Sequence, residues 1–221
     1  LMKIISEQKI LSHQNEFEHF LCLLLDISNN HHRVPDFFSK IEQILKKYES
    51  KIIKILLTNE KIHIFMSNKV ILLYLFKKEI ITPNEYIINE ILNYQKESVP
   101  RYCHFFLPEF EKFVSAEKMK ELRKEIADIE IIDNDKYEEA RLIGENDNYI
   151  CFLIRDDSVI EFISYVSKKN YELSSKIPHS IYETNSFLID KSPSLIEYAA
   201  FYGSIQIFNF LKSEKKVEMT P

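Results

Sequence analysis

Glycine is nearly missing from this chain: Gly144 and Gly203 are the only two in 221 residues, and tryptophan is absent. A loop that cradles phosphate needs clustered glycines so that backbone N–H groups can close on the ligand, and this chain cannot build one. The same shortage excludes a G-x-S-x-G nucleophile elbow. Together with a count of only seven prolines, it argues against an all-β sandwich or barrel, which needs turn residues every few positions. Cysteine is scarce and odd in number. Cys22, Cys103 and Cys151 lie in apolar helical runs, which fits buried thiols in a reducing compartment better than a disulfide framework. No N-x-[ST] acceptor occurs. Apolar runs such as "ILLYLF" and "ICFLI" fall far short of the ~20 residues a membrane span requires, and the amino terminus lacks the organisation of a signal peptide. The formal net charge of −5 argues against a general nucleic-acid binder, which would carry a basic surface. The expectations are therefore a cytoplasmic location, no membrane and no nucleic acid.

What is present is helical periodicity. Residues 3–27 read as one long or two shorter helices with Phe17, Phe20, Leu21, Leu24 and Leu25 on one face. "SNNHHRVP" (28–35) reads as a polar connector. Several helices follow between 35 and 93, separated by "YES", "TNEK", "SNK" and "IITPNE". In the last of these, Thr82 stands as cap, Pro83 at the first helical position and Glu85 as the residue closing a capping box. Pro100 and Pro108 punctuate another short helical stretch. Residues 115–130 form a charged amphipathic helix capped by Ser115. There Lys118, Lys120, Arg123 and Lys124 alternate with Glu117, Glu121 and Glu125 as a solvated face laced with ion pairs. "IEIIDNDKYEE" (129–139) is the boundary, giving an all-helical domain over 1–132 and a second domain over 133–221.

The second domain holds Gly203, in the middle of "SLIEYAAFYGSIQIFNFLK" (194–212). Leu195, Ile196, Tyr198, Ala199 and Ala200 fall at helical spacing before it, and Ile205, Ile207, Phe208, Phe210 and Leu211 after it. Two short helices joined by a tight turn explain the pattern, with glycine taking a backbone angle costly to any side chain. Ser194 and Glu197 fit a capping box, and Ala199-Ala200 lets a neighbouring helix approach closely. The unit recurs once, faintly, at an offset of 45 residues: Ile160, Phe162, Ile163, Tyr165 and Val166 overlay Ile205, Ile207, Phe208, Phe210 and Leu211. Cys151, Leu153 and Ile154 overlay Ile196, Tyr198 and Ala199. Ser158 then takes the glycine position and forms a second capping box with Glu161.

Cap, small pair, turn glycine and second amphipathic helix resemble an ankyrin repeat, whose pattern T-P-L-H-x-A leads through a glycine to a second helix. Ser194 stands for the Thr, Leu195 for the Pro, Ile196 for the Leu and Glu197 for the His. The stretch "ETNSFLIDKSPSLIEYAAFYGSIQIFNFL" is similar to the junction in a family of ankyrin-repeat proteins of unicellular parasitic eukaryotes, including those with the DUF3447 domain. In that family an all-helical amino-terminal region precedes a run of repeats. The resemblance covers residues 145–221 and implies an all-α chain: a helical array of short antiparallel hairpins leading into a degenerate ankyrin-type solenoid. Its repeats would span 145–170 and 192–213, with "VEMTP" resembling the opening of a further repeat that the chain does not continue.

Other chemistry finds little support. His31-His32 lack a third ligand at a useful spacing for a metal. "DNDKYEEARLIG" (133–144) begins like a calcium loop but has Glu138 where the sharp turn demands glycine and Gly144 where the bidentate Glu belongs. Asp128, Asp133 and Asp135 read as an acidic, solvated linker. No catalytic residue, cofactor or metal is expected. The function implied is a non-catalytic protein–protein interaction or scaffold module. Its partner would be another protein, met by Phe201 and Tyr202 and, in the long inter-repeat loop, by Tyr182, Phe187 and Asp190. The alternative is an enzyme with a site around Cys103 or His104. The last helix is apolar on two sides, Ile205, Phe208 and Leu211 on one and Ile207 and Phe210 on the other. The second side would wait for a further repeat and expose a patch that promotes self-association.

Overall fold

The computed structural model describes residues 13–31, 37–56, 60–94, 102–125 and 134–213. Every extended element among them is an α-helix or a short 3-10 turn, so the chain is all-α. The described residues divide into two compact units, one up to Glu125 and the other from Asn134 on.

The first unit runs α1 (Gln14–His31), α2 (Phe37–Lys47), α3 (Glu49–Leu56), α4 (His63–Met66), α5 (Lys69–Lys77), α6 (Glu85–Asn93), α7 (Leu107–Phe110) and α8 (Ala116–Glu125). Short 3-10 turns at Glu60–Ile62 and Tyr102–Phe106 join them. Helical spacing puts Phe17, Leu21, Leu24 and Leu25 of α1 into one core with Ile41 and Leu45 of α2, Ile52 of α3 and Phe65 of α4. Phe105, Phe106 and Phe110 close that core, with ring centroids 5.0 and 6.3 Å apart along the series.

Local expectations meet mixed outcomes here. Ser115 caps α8 as expected, its hydroxyl accepting from the Lys118 N–H at 3.2 Å. The polar stretch from Ser28 is not a connector, because α1 continues through His31. Ser28 and Asn29 are buried, and the Asn29 amide donates to the Ser67 carbonyl at 3.2 Å, so the polarity serves a contact rather than a loop. α6 begins at Glu85 with Asn84, not Thr82, as its cap, the Asn84 side chain accepting from the Ile87 N–H at 3.0 Å. Cys22, expected buried, is exposed. The linker reading of Asp135 also fails, since α9 (Asn134–Ile143) starts just before it; Asp128 and Asp133, like the closing "VEMTP", lie outside the described residues.

The second unit continues with α10 (Tyr149–Arg155), α11 (Val159–Lys169), α12 (Ser186–Lys191), α13 (Leu195–Tyr202) and α14 (Ile205–Ser213). α10 packs on α11, α13 on α14, and the pairs meet through α10 against α13 and α11 against α14. Both pairs turn in the same way. In the first, the Asp157 N–H donates to Ile154 and the Ser158 N–H to Leu153; in the second, Gly203 donates to Ala200 and Ser204 to Ala199. This is the Schellman arrangement, with the residue in the left-handed region at Asp157 (φ 54) and Gly203 (φ 69).

The glycine position of the first pair is thus Asp157, and Ser158 does not take it. Nor does Ser158 form a box with Glu161; its hydroxyl donates to the Asp156 carboxylate. The backbone repeat, from 149 to 195 and from 159 to 205, is 46 residues. Burial nevertheless follows the offset of 45: Phe162 and Val166 are buried as Ile207 and Leu211 are, while Ile160 and Ile205 both face out. Each pair turns its apolar side toward the other, which rotates the buried face by one position between equivalent helices. That rotation also overturns the expectation for α14. Ile207 is fully buried, and the Phe210 ring packs edge-on against Phe162 at 6.1 Å; Ile205 is the residue left outside.

Candidate functional site

Two polar devices stitch the helix pairs together. The Asp157 carboxylate accepts from the backbone N–H groups of Gln206 and Ile207, each at 3.0 Å, and so caps α14 from the turn of the preceding pair. In return the Ser204 hydroxyl donates to the Ile154 carbonyl at the end of α10. A few residues away, the Arg155 guanidinium donates to the Asn146 carbonyl at 2.7 Å and to the Tyr198 hydroxyl at 2.9 Å, and pairs with Glu145 at 2.9 Å. Burial pushes the Tyr198 hydroxyl above its ordinary range and the Cys151 thiol up to about 12. Both stay neutral at physiological pH inside a packed junction.

On the outside of this junction lies an aromatic cluster. Asn185 caps α12, its side chain accepting from Phe187 and Leu188 at 3.0 and 3.3 Å. Leu188 is buried, which leaves its neighbour Phe187 pointing away at 48% exposure. The Phe187 ring stacks on Phe201, 5.7 Å between centroids and 9° between planes. Phe201 meets Tyr202 edge-on at 5.0 Å, and Tyr202 meets Tyr198 at 4.6 Å. Four rings thus run from the surface to the junction. Asp190, one turn beyond Phe187 on α12, is exposed.

Tyr182 departs from the expectation: it is buried, and its ring meets Tyr137 edge-on at 5.8 Å. Burial, then the nearby Asp147, pushes its hydroxyl up to about 12. The cause is the inward path of residues 180–185. The Ser180 hydroxyl donates to Asp147 at 2.7 Å, the Thr184 hydroxyl to the Gly144 carbonyl at 2.8 Å, and Glu183 accepts from the Thr184 and Asn185 N–H groups at 3.0 and 2.9 Å. The segment is polar, as loops are, yet it is held as core.

Cys103 and His104 sit in the 3-10 turn Tyr102–Phe106, both buried. No cluster of three metal-ligating side chains occurs among the described residues, and His32 lies outside them. One feature escaped the sequence reading: Tyr149, Phe152 and Tyr165 form a second surface cluster, with centroids 6.2 and 5.2 Å from the Tyr149 ring. The i,i+3 spacing of Tyr149 and Phe152 was its only local signal. No helix among the described residues is long and apolar enough to cross a membrane. No protein-family model, curated protein or solved structure matches the chain.

Proposed function

We propose that this chain is a non-catalytic protein–protein interaction module of ankyrin-repeat type, working as a scaffold in the cytosol. The observation that carries the reading is the repeated turn. Two helix pairs close with the same pair of backbone hydrogen bonds, each with a left-handed residue followed by serine, and they stack pair on pair as repeats do. The bridge between Lys176 and Ser194 supports it, since it ties the segment leaving the first pair to the start of the second. Repeat solenoids bind through side chains relieved of packing duty, and the stacked, half-exposed Phe187 and Phe201, with Tyr202 beside them and Asp190 near by, fit that role. The odd cysteine count fits a reducing compartment.

Affinity capture with the whole chain as bait, run beside a Phe187→Ser/Phe201→Ser variant of unchanged melting temperature, tests the reading. Proteins retained by the parent and lost from the variant are the expected result. The same retained set for both baits would overturn the assignment of the surface.

A further inference from the structure

The charges of α8 are sorted by side, not laced together as expected from the sequence. Ala116, Met119, Lys120, Arg123 and Lys124 recur at helical spacing along one side. Glu117 and Glu121 fall on the adjoining side, where Glu121 pairs with Lys118 at 2.8 Å. The basic side lines a groove of about 520 Å³, which Glu111 and Val114, from the turn between α7 and α8, complete. Met119 is buried and Val114 half-buried against the core of the first unit, so the floor is apolar.

The rim carries three cations and one carboxylate. The Arg123 guanidinium donates to the Glu111 carboxylate at 2.9 Å, and those two charges balance. Lys120 and Lys124, one turn apart, form no ion pair among the described residues. The lip of an apolar groove thus keeps an unbalanced double positive charge, on a chain whose formal net charge is −5.

A small ligand is held by burying most of its surface, and this groove is too open for that: Glu111, Ala116, Lys120, Arg123 and Lys124 are all exposed. It runs instead along one side of α8, and Ala116 to Lys124 cover roughly 12 Å of helix at about 1.5 Å per residue. An amphipathic helix laid along that length would set apolar side chains on Met119 and Val114. Carboxylates one turn apart on it would meet Lys120 and Lys124, which is the helix-in-groove mode of recognition. Complementary charge of this kind selects an acidic segment over a basic one.

We propose that this groove of the first unit is a docking site for a short acidic amphipathic helix of a partner protein. Its apolar side chains lie on the floor, and its carboxylates, four residues apart, lie on the lysine lip. The site shares no residue with the surface around Phe187 and Phe201 and does not depend on the repeat.

Fluorescence anisotropy tests it, with the full chain titrated into a labelled helical peptide of about four turns that carries leucines along one side and glutamates flanking them. Saturable binding that weakens with added salt is expected, since exposed charges are screened. The same peptide with lysine for every glutamate, or with serine for every leucine, should not bind. Lys120→Glu/Lys124→Glu should weaken binding about tenfold or more. Lys46→Glu/Lys54→Glu, the same change of net charge at exposed positions of α2 and α3, should leave it within about twofold. Should charge reversal on α8 lower the melting temperature, Lys120→Ala/Lys124→Ala serves in its place. No binding of the acidic peptide, equal binding of either control peptide, or equal loss from both pairs of substitutions would each overturn the site. Decanoate bound more tightly than the peptide would overturn it too, and would give the groove to a fatty acid.

Discussion

Gly203 and Asp157 hold the same turn with different chemistry. At Gly203 no heavy atom lies within 4 Å of where a Cβ would stand, so a side chain there meets backbone strain and no clash. Gly203→Val should therefore cost about 1–2 kcal/mol, the usual penalty of the left-handed region for a substituted residue; a shift in thermal melting checks it, and an unchanged midpoint would refute it. Asp157 bears that strain while its carboxylate caps a helix 49 residues further on, a role in which aspartate is favoured. Thiols give a second test. Exposed Cys22 should be alkylated first in the folded protein, although burial, Asp26 and Glu18 raise its pKa, and buried Cys151 should be protected. The Cys151 thiol goes from an ordinary 9.0 to about 12 in the fold, so the fold favours its neutral form. That contribution is whole below pH 9 and is lost as pH rises through 12. The second unit should accordingly weaken in alkali, which denaturant midpoints measured toward high pH would show.

At the scale of the helix, α13 sets a small buried residue beside a small exposed one. Ala199 is fully buried, so Ala199→Leu should destabilise by about 1–3 kcal/mol through overpacking, read from the second unit's melt, whereas Ala200, which is exposed, should accept leucine. Much of this element was legible beforehand. The Glu197 carboxylate accepts from both the N–H and the hydroxyl of Ser194 at 2.7 Å, and serine, glutamate and glycine at that spacing announce a cap and a turn by local chemistry alone. The rest was not local. Asp157 carries no local signal of its role, because its hydrogen-bond partners are in α14. Tyr182 looked like a loop residue because the groups that draw its segment inward, Gly144 and Asp147, precede it by more than thirty positions. Phe187 and Phe201 were both singled out in the sequence, but their stacking needed α12 to be placed beside α13.

At the scale of the molecule, the described residues form two cores that share no buried residue, one closed by Phe106 and its neighbours, the other around Tyr198. Independent cores give independent cooperativity, so denaturant unfolding should resolve two transitions. Phe106→Ala, which costs about 3–5 kcal/mol for a fully buried ring, should move one of them, and Ala199→Leu the other. A single transition shifted by both substitutions would contradict this. The chain between α11 and α12 carries a different kind of consequence, one for tolerance of length. Its first part, around Ser174, lies on the surface, while 180–185 is held inside. An epitope inserted between Ser174 and Ser175 should leave the melt of the second unit nearly intact, and the same epitope between Tyr182 and Glu183 should abolish it. Over generations the same asymmetry would act as a filter: descendants of this sequence can lengthen or shorten before Lys176, while "SIYETN" has to keep its count.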